Sequence, residues 1–459
     1  MSFLEVFGHS FGIEGASGAV VIAIPLVFAN AGNGTWLAFV MAVAGYLLVA
    51  AQINVFTQNI STPGSLFTYA RYGLGPFAAT ITGWSLVIAY FLCIPLNMGA
   101  VAYFIIIFIR EITGMGSGQD MMLPLAITSV AVLALAWWFC HRDVKLSTRT
   151  TLGLEAMTLL FVFLIFGGYI WHHGITLDHP QANLSGVTFE QFRLGLVLAM
   201  FTFTGFEASA VLGIEAKLPF KMIPRAVVAT IVIDGLIVAV CSYFLVQAFQ
   251  GADPALDKAE APLSTLAQVS GLGFAGPFVS AGIAVSWFGC LLGVLNTAGR
   301  LLYALAHRGL FHKSASQTHY HHATPHIALA LLAGLGLVLS LALTFSGVGA
   351  MDGVNYLGST ATFGFLFAYI IIAIAAPCYL HRQGKLRPKH IVSAILAVIM
   401  MLIPLVGNLY PIPDWPYNIL PFVFLVPLLL GLGYFLYIRK TDPDRLAIVE
   451  ADLEAQHMG

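Results

Sequence analysis

Apolar residues fall in long, nearly unbroken runs along this chain, and each run is closed by Gly, Pro or charged residues. The runs cover 6–29, 36–57, 77–109, 122–140, 151–171, 193–215, 224–249, 277–305, 327–345, 355–379, 390–409 and 417–438. A helix that crosses a bilayer needs about 20 predominantly apolar residues, and the runs are of that length or longer. They are too continuous for the alternating pattern of an outer-membrane barrel. The expected fold class is therefore an all-α integral membrane protein with about twelve transmembrane helices. No soluble domain interrupts the runs, so a single polytopic domain over 1–459 is expected, with 439–459 as a cytoplasmic tail.

Composition narrows the function. Of 459 residues, 59% are hydrophobic and 9% charged, where soluble domains carry about 25% charged residues. A soluble enzyme, a disordered chain and a basic nucleic-acid binder are all excluded, and the bilayer is the expected surroundings. Cys93, Cys140, Cys241, Cys290 and Cys378 lie in or beside apolar runs at spacings that suit neither a disulfide nor a zinc site. No cofactor or metal is called for. The opening MSFLEVFGHSF has neither a basic leader nor a small-residue cleavage site, so no signal peptide is expected.

Basic residues set the orientation. With the N-terminus cytoplasmic, all of the 20 Lys and Arg fall inside except Arg110, Arg193 and Lys258, as the positive-inside bias requires. A multi-pass protein of the cytoplasmic membrane with both termini inside is expected.

Two runs contain material that breaks helices. The first holds GIEGASG (12–18), and the sixth holds FTFTGFEASAVLG (201–213). A glycine costs about 1 kcal/mol in a helix interior, and unwound backbone at membrane depth is tolerated only where it lines a cavity or is buried in protein. Small-residue contacts between packed helices would give a similar pattern. Two breaks five runs apart, each with an acid, instead point to an inverted repeat with a binding site at its interface. A half-helix starting after a break suits a carboxylate, and one ending before it suits a cation. A small zwitterion fits both.

Acids inside apolar runs are costly and usually face a cavity. Glu14 and Glu207 lie in the two breaks and are the candidates for cation or proton binding. Asp234, mid-run, is either a structural hydrogen-bonding group or a relay. Glu155 and Glu215 are expected to snorkel near an interface. The histidines His172, His173 and His179 fall in one loop, and His319, His321 and His322 in a loop on the other side. The ~30 Å bilayer core would separate them, so one metal centre cannot use both groups.

Three segments carry a resemblance. TPGSLFTYARYGLGPFAATITGW (62–84), FTGFEASAVLGIEAKLPFKMIPRA (203–226) and NTAGRLLYALAHRGLFHKSASQTHYHHATPHIAL (296–329) resemble motifs of the amino acid–polyamine–organocation (APC) superfamily of permeases. The resemblance implies a LeuT-like fold, with inverted five-helix repeats over 1–171 and 193–379 and two peripheral helices over 390–438. It also implies secondary active transport of an amino acid, biogenic amine or polyamine by alternating access. The coupling partner would be a proton or a counter-substrate, and a homodimer is left open. Substrate positions carry over onto Gly15, Ala16, Ser17 and Gly18 for the carboxylate, and onto Phe203, Thr204, Gly205, Phe206 and Glu207 for the amine side and an aromatic lid. Tyr90, Asn97 and Trp287 are wall residues by position.

The sequence departs from the family in places. Leu218 stands where an Asn is usual, and Glu14 directly precedes the GASG break. An acid there repels a carboxylate unless it is protonated or paired, or it holds an amine instead. The lysine that replaces sodium in some members has no counterpart between Glu155 and Tyr169, and Ser286 stands alone in span eight. Two other classes remain as alternatives: an amine sensor on a transporter scaffold, and a membrane histidine metalloenzyme.

Overall fold

The computed structural model describes residues 1–62, 64–114, 121–142, 144–259, 262–320 and 324–441. The tail beyond 441 and His321 and His322 lie outside the described residues. In chain order the helices are α1 (Phe3–Glu14), α2 (Ala16–Ala31), α3 (Thr35–Thr57), α4 (Ser65–Leu74), α5 (Pro76–Thr113), α6 (Met122–Arg142), α7 (Val144–His173) and α8 (His179–Ala182). They continue with α9 (Phe189–Thr202), α10 (Pro219–Ala248), α11 (Pro262–Val269), α12 (Gly276–His307), α13 (His326–Phe345), α14 (Ala350–Arg382), α15 (Pro388–Gly407) and α16 (Leu420–Thr441). The described residues contain no strand.

Among the described residues, ten stretches are long and apolar enough to cross a membrane. One of them, Phe3–Thr57, runs through α1, α2 and α3 and has a short turn at Gly32–Gly34. A reading of twelve passes requires that stretch to double back there, and requires the interrupted segment from Phe189 to Leu212 to cross as well.

The architecture follows from which faces are apolar all round. Along the centre, α12 and α14 both pack against α5, and the apolar middle of α12 is 72% buried. At the rim, those of α15 and α16 are only 22% and 33% buried. Leu123, Ile127, Leu160, Val338 and Leu430 remain more than half exposed on outer helices. Apolar side chains at that density are uncovered in water but matched by lipid tails. The protein is a multi-pass membrane protein.

Helix α5 contains 38 residues, about 57 Å at ~1.5 Å per residue. It therefore outreaches the hydrocarbon core and must tilt or project beyond it.

Candidate functional site

Both breaks foreseen in the sequence are present, but they differ in kind. The first is one residue wide. Gly15 adopts φ 62° and ψ 65°, and α1 ends and α2 begins on either side of it. This left-handed conformation is routine only for glycine. The second break is wider. After α9 ends at Thr202 the chain turns through Phe203–Glu207, with Gly205 at φ 102°, and then forms only a short 3-10 helix, Ala208–Leu212. Regular helix resumes at Pro219.

Backbone groups freed at that depth need partners, and distant side chains supply them. The Gly205 N–H donates to the Tyr369 hydroxyl of α14 at 3.0 Å. The Ser209 N–H donates to Ser10 Oγ of α1 at 2.7 Å. The break is held open from two sides.

The first break opens on a cavity of about 110 Å³. A water needs roughly 10–15 Å³ of such space, so the hollow holds several waters or one small solute. Its wall includes Glu14, Gly15, Gly18, Tyr90, Asn97, Thr204 and Trp287, all singled out from the sequence. Cys93, Cys290, Phe201 and Phe365 also line it and were not. The cavity runs along α2 as far as Leu26, near Leu198 of α9 and Asn355 of α14.

The other sequence candidates sit behind that wall. Ala16, Ser17, Phe203, Gly205, Phe206, Glu207 and Asp234 are absent from the lining. The expected aromatic lid of Phe203 and Phe206 instead packs inward. Phe203 meets Phe39 and Tyr46, and Phe206 meets Tyr46 and Tyr369. The rings that face the cavity are those of Tyr90, Phe201, Trp287 and Phe365.

Glu207 is buried and fully engaged. Tyr90 donates to its Oε1 at 2.8 Å and Tyr369 to its Oε2 at 2.5 Å. Two hydroxyl donors from α5 and α14 thus fix the carboxylate, and Tyr369 relays the hold to Gly205. The acid acts as a brace between the second break and the central helices.

Glu14 is the opposite case. Its carboxyl meets the Asp234 carboxyl of α10, side chain to side chain, and neither acid has any other hydrogen-bond partner. Two carboxyls whose one partner is each other must share a proton between them, and such acids are rare in a membrane interior. A residue in this condition beside a cavity is a candidate for function.

Glu155 overturns a sequence expectation. Span five was drawn from residue 151, which put this acid near an interface. Helix α7 begins at Val144, so Glu155 lies about three turns in and is 1% exposed. It accepts the Ser17 N–H at 2.9 Å and the Ser17 hydroxyl at 3.1 Å, and Ser286 of α12 donates to it as well. Ser286, which looked isolated, also lies 2.7 Å from the Ser17 hydroxyl, whose single proton is shared between Ser286 Oγ and the carboxylate. Three helices meet on one carboxylate.

Glu215 does not snorkel either. It pairs with Arg300 of α12, and the Met1 amino group donates to its carbonyl. The Lys217 N–H donates back to the Met1 carbonyl at 3.2 Å. Nearby in the chain, Glu5 of α1 and Arg149 of α7 lie 2.6 Å apart. These contacts tie together the end of the molecule where α1 begins, opposite the end that Leu26 marks. The histidine groups are likewise at opposite ends. His172 and His173 close α7, whereas His319 packs on His141 at the end of α6. Among the described residues no group of His, Cys, Asp and Glu could hold a metal ion.

A family model described as amino acid permease matches residues 1–438. The chain belongs to the amino acid permease family. It is 25% identical over 438 residues to the branched-chain amino acid permease BcaP of Bacillus subtilis (strain 168), covering 90% of this chain and 87% of the relative. The serine/threonine exchanger SteT of the same organism is 25% identical over 390 residues, 84% of each chain. The low-affinity putrescine importer PlaP of Escherichia coli (strain K12) is 25% identical over 345 residues, 73% of this chain and 72% of the relative. The protein is an APC-type permease with a LeuT-like fold, a transporter of small molecules and not an enzyme.

Proposed function

We propose that this permease is a secondary active transporter. It moves a small amino acid or biogenic amine across the cytoplasmic membrane by alternating access, coupled to a proton or to a counter-substrate. One observation carries the reading: an interrupted first span opens on a hollow whose wall contains a buried acid, Glu14, partnered only by a second acid, Asp234. Structural packing alone gives no reason to retain two acids against each other, because burying carboxyl groups without a cation is strongly unfavourable. A cation or proton arriving with the solute would satisfy Glu14, and Asp234 stands ready to share that charge. The relatives support the range of cargo, since their names give branched-chain amino acids, serine and threonine, and putrescine. SteT is named an exchanger.

Alternating access assigns roles to the two ends. The contacts among Met1, Glu215 and Arg300 hold one end shut, and with both termini cytoplasmic that end is the inner one. Transport then requires the Glu215–Arg300 pair to part while the walls near Leu26, Leu198 and Asn355 close. Gly15 and Gly205 are the points where the two interrupted spans can bend without distorting neighbouring helices. The repeats would run over 1–171 and 193–379, with 390–438 as outlying helices.

The test is uptake of radiolabelled amino acids and amines into proteoliposomes under proton gradients and with preloaded counter-solute. Saturable, substrate-dependent flux is expected. No flux of any solute under any gradient would remove the proposal.

A further inference from the structure

In a transporter with a broken first span, the start of the second half-helix is where a solute's carboxylate would be received. In this protein that position is taken. Both the N–H and the hydroxyl of Ser17, the second residue of α2, are bonded to the side-chain carboxylate of Glu155. The Trp287 indole lies across the next residue, where a Cβ on Gly18 would come within 2.9 Å of Trp287 Nε1, and narrows the approach to it. The protein's own anion fills the anion site.

What the cavity offers instead is acceptors. Glu14 presents a carboxyl whose one partner is the Asp234 carboxyl behind the wall, so the pair brings acid and no cation to the cavity. Asn97 is 3% exposed and gives its amide N–H to the Cys93 carbonyl at 2.6 Å, which leaves its Oδ1 unpartnered in the cavity wall. The unpartnered side-chain donors in the lining, the Trp287 indole N–H and the Thr202 hydroxyl, are neutral. None of the described lining residues is Lys, Arg or His. A carboxylate entering here would meet an acid and find no cation.

We propose that the cargo is a monoamine cation with a small apolar body and no carboxylate. Its ammonium is held by Glu14 and Asn97, a narrowing that rests on the transporter reading above. The charge complements Glu14, and the rings of Tyr90 and Trp287 offer the π-faces that cations favour. The body of the solute lies toward Ile22, Leu198 and Phe365. That apolar far end also argues against a diamine, whose second ammonium would be desolvated there with no acid to meet it.

Matched pairs test this on the whole purified protein. 3-Methylbutylamine is leucine without its carboxylate, and 2-phenylethylamine is phenylalanine without its own. Both pairs and putrescine are compared by thermal shift in detergent and by uptake into proteoliposomes. At least one monoamine should bind and be taken up, with a preference on the order of a hundredfold over its parent amino acid, as expected when a buried charge finds no partner. Glu14→Gln should abolish the monoamine's thermal shift while the protein still purifies as a monodisperse species. Leucine or phenylalanine binding as well as its amine, or putrescine binding better than either monoamine, overturns the proposal and leaves the transporter reading intact. A monoamine that binds but is never translocated overturns the monoamine as cargo, and so does failure of all five solutes in both assays. In either case the transporter reading stands or falls separately, on the wider uptake panel.

Discussion

Replacing Glu155 separates the two things this buried acid does, holding three helices together and occupying the anion position of α2. In the native protein it receives the Ser17 N–H, the Ser17 hydroxyl and the Ser286 hydroxyl. Glu155→Gln keeps the shape and one acceptor oxygen, and the two hydroxyls can rotate to accept from the new amide. Each hydrogen bond to a charged group is worth about 1.5–3 kcal/mol and a neutral one about 0.5–1.5 kcal/mol. The lost strength is offset by the several kcal/mol that burying the native charge costs. The glutamine variant should therefore lie within about 1–2 kcal/mol of the native protein. Glu155→Ala cannot compensate in this way. It leaves the Ser17 N–H without a partner, at about 1–3 kcal/mol, and opens a void in a packed interior, where truncations to alanine cost about 2–5 kcal/mol. A loss of roughly 4 kcal/mol is expected. The assay is thermal unfolding at fixed detergent, paired with hydrogen exchange at the Ser17 amide, which should accelerate strongly in the alanine variant and little in the glutamine variant. In the alanine variant the vacated donors should also admit a carboxylate, so leucine binding should appear or strengthen. Equal stability of both variants with unchanged exchange at Ser17 would refute the claim that Glu155 caps α2.

Other perturbations address the second break and the closed end. Glu207→Gln should cut transport about tenfold or more while leaving folded yield unchanged, since one tyrosine loses a charge-assisted bond on a brace between α5, α14 and the break; unaltered kinetics would reduce Glu207 to packing. Gly205→Ala should destabilise the protein by roughly 1–3 kcal/mol, because φ 102° is strained for any side chain, and a Tm equal to that of the native protein would show that the backbone there relaxes freely. Arg300→Ala should loosen the end tied by Glu215 and Met1. A cysteine introduced into a cysteine-free background at Ile13, which lines the cavity, should then react faster with a membrane-impermeant thiol reagent added from that end, and an unchanged labelling rate would deny the pair a role in closure.

Most of the fold was legible because bilayer crossing imposes length and apolarity together. The runs at 122–140 and 327–345 became α6 and α13 with ends moved by three residues or fewer. Errors arose where polar residues stay helical. The stretch HRDVKLSTRTT, 141–151, looks like a loop by hydropathy, yet α7 starts at Val144, and that shift alone concealed the depth of Glu155. The short helix α4 follows a Pro-Gly pair that reads as a turn. The breaks were legible in location because glycine, serine and a nearby acid mark them. Their extent was not, since one left-handed glycine suffices at Gly15 while the second interruption depends on Tyr369 and Ser10, which lie far away in sequence.

The site shows the same division more sharply. Glu14, singled out as an acid in a break, and Gly15, Gly18, Tyr90, Asn97, Thr204 and Trp287, singled out through the permease resemblance and their position, do meet at one cavity, but neither route could tell an acid supplied with donors from one that is not. Glu14 and Glu207 look equivalent in sequence, each beside a glycine in a broken span. The difference lies entirely in partners contributed by other helices: two hydroxyl donors, Tyr90 and Tyr369, saturate Glu207, and Glu14 meets only another acid, Asp234. Likewise the start of α2 reads as an anion site until Glu155 arrives from α7 to fill it. Whether a buried acid is supplied with donors belongs to contacts between helices, not to any stretch of chain. On the proposed reading, selectivity follows from which of its acids the scaffold has spent on itself.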